Sequence, residues 1–407
     1  MLLIVILFIS CIIILVHYDP RSLREEMGIV PVSLGTKNKY LEVNMHTKNK
    51  IAAAVVVSAL VAGLAGCSTA SSPDTASATQ QAPSATQAPS ANNDPQLAVQ
   101  YNLDVNKVPA ENFDLSKFKL NTPRDDNKPE RAGKVMEIYK PMLNDKANPF
   151  SDAEWFYTDS ITGAMVFASP NKAMTTPNSK NARSELRAML SDDYSSPKNN
   201  FTIASTDNAE AYGAIGGHMS ATMSVDWVST SGDYKKNGAF ATVIGQIHGS
   251  KNEPLKIMYR KLPEHEYGSI YWNYETNALG DDYSKRRDIR HEVFGQSGLR
   301  QGSEDPVTGI KLGEIFSYDV NVEGDIMHLT FTKNPGKPNQ EVKTYDIDLA
   351  KGEYQGDKYD QGYANDWMYF KAGTYNQCNT GSSGCANNGI EAGDYSKVSF
   401  FKFSLNQ

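Results

Sequence analysis

Three short stretches of this 407-residue chain carry side chains able to grip a carboxylate and move protons. They are Arg183-Ser184-Glu185-Leu186-Arg187, Gln246-Ile247-His248, and Tyr369-Phe370-Lys371-Ala372-Gly373-Thr374-Tyr375-Asn376-Gln377. Side chains alternate across an extended strand. In Asn181 to Leu190, Arg183, Glu185 and Arg187 therefore point one way, while Ser184, Leu186, Ala188 and Leu190 point the other. Gln246 and His248 share a face, and Ile247 turns to the core. In Trp367 to Gln377, Trp367, Tyr369, Lys371, Gly373, Tyr375 and Gln377 share one face, opposed by Met368, Phe370 and Ala372. If the three strands lie in one sheet, guanidiniums, an ammonium, an amide, an imidazole and phenols pool in one groove.

Those groups suit proton abstraction α to a carboxylate. The negative carboxylate opposes carbanion formation, so an Arg and an amide clamped on it neutralise it and stabilise the enolate-like charge that develops. A base must take the proton and an acid must protonate the leaving oxygen. His, with an ordinary pKa near about 6.5, and Tyr, near about 10, can divide those roles once their surroundings shift them. The outcome is β-elimination across a uronic-acid glycosidic bond. Each block has a plainer reading by itself: a solvated ion-pair strand, an ordinary polar face, aromatic residues packed at a rim. Only their agreement points to chemistry.

The surrounding elements are strands. Met219, Ala221, Met223, Val225 and Trp227 alternate with His218, Ser220, Thr222, Ser224 and Asp226, the pattern of a half-buried strand. Similar alternation runs through Gly163 to Ala168, Leu255 to Lys261, Ile315 to Val322 and Val398 to Leu405. Gly, Asn, Asp and Pro clusters such as Asn334-Pro335-Gly336-Lys337-Pro338 mark the turns between them. One helical stripe is expected, near Ala132 to Leu143. The economical architecture is all-β, a twisted antiparallel jelly-roll sandwich.

The three blocks, in this order, resemble the signature segments of the polysaccharide lyase family 7 alginate lyases. Gly163-Ala164-Met165-Val166-Phe167 and Gly217-His218-Met219-Ser220-Ala221-Thr222 are similar too, and the likeness runs from about Asn112 to Gln407. It implies a jelly roll whose concave sheet binds alginate, and elimination that leaves unsaturated uronate ends. Carried over by position, it makes Arg183 and Gln246 the carboxylate neutralisers, His248 the base and Tyr375 the acid. Arg187, Lys371, Tyr369 and Gln377 then line the substrate groove, with Glu185 orienting a neighbouring Arg. Gln-Ile-His resembles members that accept guluronate-containing blocks. The chain departs from the family pattern at Cys378, followed after six residues by Cys385. In an exported protein this pair is expected to form a disulfide closing a small Gly/Ser loop.

Two apolar stretches open the chain. Residues 1–44 are expected to be an over-extended start or an extra hydrophobic segment, because Met45 restarts the grammar of an export signal. His46-Thr47-Lys48-Asn49-Lys50 is a basic region, Ile51 to Ala62 an apolar core, and Leu64-Ala65-Gly66-Cys67 resembles a bacterial lipobox. Cys67 is thus the expected lipidation site, and outer-membrane or cell-surface anchoring the expected location. From Ser68 to Gln96, 25 of 29 residues are Ser, Thr, Ala, Pro or Gln, a tether with nothing to build a core. The functional body is then residues 97–407, expected as a monomer.

Beyond the first 66 residues the chain holds 34 basic against 43 acidic residues, which disfavours nucleic acid as a partner. A local cationic groove can still attract a polyanion. His218, His265, His291 and His328 lack ligand spacing, so no metal and no cofactor is expected. Two competitors differ in kind. A jelly-roll glycosidase needs paired carboxylates flanking the bond, and the nearest run, Glu323-Gly324-Asp325-Ile326-Met327-His328, lacks the third carboxylate of the Glu-x-Asp-x-x-Glu pattern. A non-catalytic glycan-binding lipoprotein would keep Arg and aromatic residues but has no use for His248 together with Tyr375.

Overall fold

The structure, a computed structural model, describes residues 92–192, 197–277, 283–378 and 382–407. Residues 1–91 lie outside it, so the leader, Cys67 and most of the tether are outside the described residues.

Two large antiparallel sheets dominate. Across the first, the strands run in the order Asp288–Phe294, Tyr267–Glu275, Leu255–Arg260, Ala241–His248, Tyr369–Asn376, Arg183–Ala188, Phe118–Asp125 and Val135–Ile138. The second includes Gly217–Trp227, Phe316–Glu323, Ile326–Lys333, Glu341–Asp348 and Tyr395–Asn406. The main core lies between them: Leu186, Ile247, Phe370 and Ala372 from the first sheet meet Met219, Val320, Phe331 and Phe400 from the second. Consecutive hairpins alternate with neighbours distant in sequence, as when Tyr369–Asn376 inserts between Arg183–Ala188 and Ala241–His248. That interleaving is what a jelly roll produces, and it makes the three chemistry-bearing strands adjacent.

Alternating burial marks the second sheet, where Phe316–Glu323 and Ile326–Lys333 each bury one face and wet the other. The three site strands differ, because nearly every residue in them is buried on both faces. Their outward polar side chains are covered by one another. The expected helical stripe over Ala132 to Leu143 is corrected by the structure. It divides into the Val135–Ile138 strand and a one-turn helix, Lys140–Leu143. Pairing of Leu120 with Ile138 at the sheet edge offers this segment a burial surface that outweighs its helical periodicity.

Candidate active site

Register brings the predicted residues together. Tyr375 pairs with Arg183 and Lys371 with Arg187 on one side, while Lys371 pairs with Gln246 and Tyr369 with His248 on the other. Between Ala372 and Tyr375 the strand bulges by one residue against its Ala241–His248 neighbour. Gly373 makes this possible: its φ is +140°, and a Cβ there would stand 2.5 Å from the Ser184 carbonyl oxygen. Beneath the site the same strand is pinned from inside. The Thr374 hydroxyl bonds those of Thr242 and Ser396, each at 2.8 Å, and the Asn376 amide donates to Asn171 Oδ1 at 2.9 Å. Tyr375 therefore stands on a rigid segment.

Glu185 is the hub. It is 1% exposed, and it accepts from Arg183 Nη1 at 3.0 Å, from the Gln246 side-chain amide and from the Lys371 ammonium. Burial alone would raise its pKa, but Lys371 and Arg183 hold it below the ordinary carboxylate value. Burial also presses Lys371 down, to about 8, helped by Arg183 and opposed by Glu185. Glu185, expected to orient a neighbouring Arg, contacts the Arg183 guanidinium, the Gln246 amide and the Lys371 ammonium.

The aromatic groups are fixed by cations. The Arg183 guanidinium lies 3.8 Å from the Tyr375 ring centroid and that of Arg187 lies 4.0 Å from the Tyr369 ring. Tyr369 in turn stacks on His248 with centroids 5.0 Å apart. Arg187 also donates to Asn200 Oδ1 at 2.9 Å. The Tyr375 hydroxyl sits 2.8 Å from Ser179 Oγ. His248 places Nδ1 2.5 Å from the Gly249 carbonyl oxygen and Nε2 3.2 Å from Glu253 Oε1. Burial, with Lys371 and Arg183 nearby, pushes this imidazole down to about 4, against the pull of Gly249 and Glu185. Gln377 lies just past the strand, its amide donating to the Tyr375 carbonyl at 3.1 Å, and lines a cavity of about 660 Å³ with Lys180, Asn181 and the cystine. Cys378 and Cys385 are joined as a disulfide, with Cα atoms 5.6 Å apart.

Ser179, Asn200 and Glu253 escape a reading of the sequence. Nothing in their spacing announces them, since each reaches the site from a turn or loop. A further pattern emerges only from register: Lys119, Arg187, Lys371, Gln246, Lys256, Asn273 and Arg290 form one line across seven strands. At about 4.8 Å per strand it is about 29 Å long. Five cations and two amides in line can meet a chain of regularly spaced negative charges. Beside it, Ala241, Val243, Met258 and Tyr271 form an apolar patch against which Tyr375 packs. Elsewhere, His218 and His328 pair with Asp319 and Asp346, each at 2.6 Å, and His291 stacks on Trp272. Among the described residues no group of three or more His, Cys, Asp or Glu is arranged to hold a metal ion.

The jelly-roll sandwich that carries this cluster is that of a polysaccharide lyase. The chain belongs to the alginate lyase family, polysaccharide lyase family 7, whose profile matches residues 113–407. An alginate lyase of Klebsiella pneumoniae is 33% identical over 310 residues, 72% of this chain and 90% of that protein. A crystal structure of the alginate lyase from Klebsiella pneumoniae aligns with a TM-score of 0.59 at 30% identity, covering 74% of this chain and 99% of that one. The exolytic family 7 alginate lyase from Zobellia galactanivorans aligns with a TM-score of 0.57 at 28% identity, covering 74% and 97%.

Proposed function

We infer that this protein is an alginate lyase that cleaves 1,4-linked polyuronate by β-elimination, leaves 4,5-unsaturated uronate ends and accepts guluronate-containing blocks. One observation carries this reading: Arg183, Gln246, His248 and Tyr375 converge on the outward face of three adjacent strands around the Glu185 hub. Arg183 and Gln246 neutralise the uronate carboxylate at the reacting residue, so that charge developing on C5 is delocalised toward fixed donors. His248 is neutral above its lowered pKa and takes the C5 proton. Tyr375 protonates the C4 oxygen as the glycosidic bond breaks. Lys371, Arg187, Tyr369 and Gln377 guide the chain into register. No cofactor enters any step.

The body works as a monomer, held at the outer membrane or cell surface by lipid on Cys67 and by the residue 68–96 tether. The export signal of residues 45–66 and the lipobox ending in Cys67 support this location. The test of the activity is incubation of the protein with separated guluronate and mannuronate blocks, followed by ultraviolet absorbance. A growing absorbance from unsaturated ends supports elimination; new reducing ends without that absorbance contradict it.

A further inference from the structure

His248 ends its strand, and the chain turns back to begin Leu255–Arg260. Because Leu255 pairs with Ile247, the end of the turn returns beside the imidazole. There Glu253 Oε1 stands 3.2 Å from Nε2. On the opposite side of the ring Nδ1 faces the Gly249 carbonyl at 2.5 Å. A carbonyl only accepts, so Nδ1 carries the proton of the neutral ring and Nε2 is left bare, with the carboxylate beside it at ion-pair distance. Two acceptors so close repel each other. A proton arriving on Nε2 makes the ring cationic and turns that repulsion into an ion-pair attraction. The side chains of His248 and Glu253 keep exposures of 26% and 21%, so the pair opens to the groove. Glu253 is itself held: its backbone N–H donates to Glu275 Oε2 at 3.0 Å, and the Lys256 ammonium lies 3.7 Å from Oε2.

We propose that Glu253 is a positioning residue for His248, orienting the imidazole and stabilising the imidazolium formed as Nε2 accepts the C5 proton. This rests on the elimination inferred above. In that step the C5–H bond breaks, its electron pair passes into the carboxylate-stabilised carbanion, and the proton forms an N–H bond at Nε2. The C4–O bond then breaks as the pair forms the C4–C5 double bond, and the Tyr375 phenol gives its proton to the departing oxygen. Glu253 neither gains nor loses a proton.

The groups facing His248 make the sign of the effect definite. Gln246 shares its strand; Tyr369 and Lys371 face it from the next strand, with Arg183, Glu185 and Arg187 beyond. Glu253 and Lys256 face it from the other side, with Glu275 behind them. Lys371 and Arg183 oppose the imidazolium, and the Glu253 carboxylate favours it. Removing that carboxylate lowers the pKa of His248, so its base form persists to lower pH but is a weaker base.

The test compares wild type with Glu253→Gln and Glu253→Asp. For Glu253→Gln on guluronate blocks, kcat falls about 10- to 100-fold with KM little changed. The acidic limb of kcat/KM moves down by about one pH unit, and Glu253→Asp recovers part of kcat. The His248 ring titration, followed by NMR without substrate, has its midpoint lower in Glu253→Gln than in wild type. An unchanged midpoint, or a pH profile scaled down everywhere with no displaced limb, overturns the proposal. A wild-type protein that releases no unsaturated uronate contradicts the elimination reading instead, and the ring titration still decides the pairing.

Discussion

Tyr375 and His248 approach the groove from adjacent strands, and their separation matters because the two uronates differ in geometry. In mannuronate the C5 proton and the C4 oxygen lie on one side of the ring, so a single phenol can serve both. In guluronate they lie on opposite sides, so base and acid must be different groups. Tyr375→Phe is therefore expected to abolish cleavage of both block types, whereas His248→Ala damages guluronate cleavage far more than mannuronate cleavage. Arg183→Ala and Gln246→Ala slow both, by about 10² to 10³ each. Initial elimination rates on separated blocks, with folding checked by circular dichroism, measure all four. Equal losses for His248→Ala on both blocks would remove the division of roles. The pH dependence follows from the same neighbours. Burial and cations lower His248, so the base stays deprotonated into mildly acidic solution; Lys371, pressed to about 8, loses its charge as pH rises through that value. Activity on guluronate blocks is expected to hold below the ordinary His pKa and to fall on the alkaline side. A pH–rate profile with its acidic limb near about 6.5 would contradict the first part.

At the scale of elements, the three site blocks were legible in the sequence because each alternates cleanly, and alternation assigns faces without knowledge of the fold. Glu253, Ser179 and Asn200 were not legible, because turns and loops carry no period and only the folded register returns them to the groove. The edge segment over Ala132 to Leu143 misled for the related reason that a short apolar pattern takes its structure from the partner it finds, here the Phe118–Asp125 strand. Two predictions belong here. Gly373→Ala must place a Cβ against the Ser184 carbonyl at a φ unfavourable to any side chain, which costs roughly 1–3 kcal/mol and displaces Tyr375. Thermal unfolding and kcat should fall together; a variant of wild-type stability and rate would show that the bulge relaxes. The Cys378–Cys385 disulfide closes a small loop beyond Tyr375 and should contribute at most about 2–3 kcal/mol. Reduction is expected to lower Tm and leave elimination slowed but present. Two thiols alkylated in the native protein without reductant would refute the pairing.

For the molecule as a whole, a body with more acidic than basic residues confronts a polyanionic substrate. The cross-strand line from Lys119 to Arg290 gathers cations on one face that can attract the polymer locally, with carboxylates such as Glu137 and Asp288 holding Lys119 and Lys256 in place. Attraction of that kind is screened by salt. Rising ionic strength is expected to raise KM for alginate while changing kcat less; a KM indifferent to salt would show that the line does not guide the polymer. Anchoring is testable apart from catalysis. Cys67→Ser should release the protein from the membrane with its lyase activity intact, and mass spectrometry of the mature N-terminus should find an acylated Cys67.

Elimination and hydrolysis are told apart by cleaving alginate with the protein and weighing the products by mass spectrometry. Elimination adds no water across the cut, so one of the two new ends is expected to be lighter by a water than a hydrolysed end. Fragments that all carry the mass of an added water would mean hydrolysis and would contradict the assignment of His248 and Tyr375.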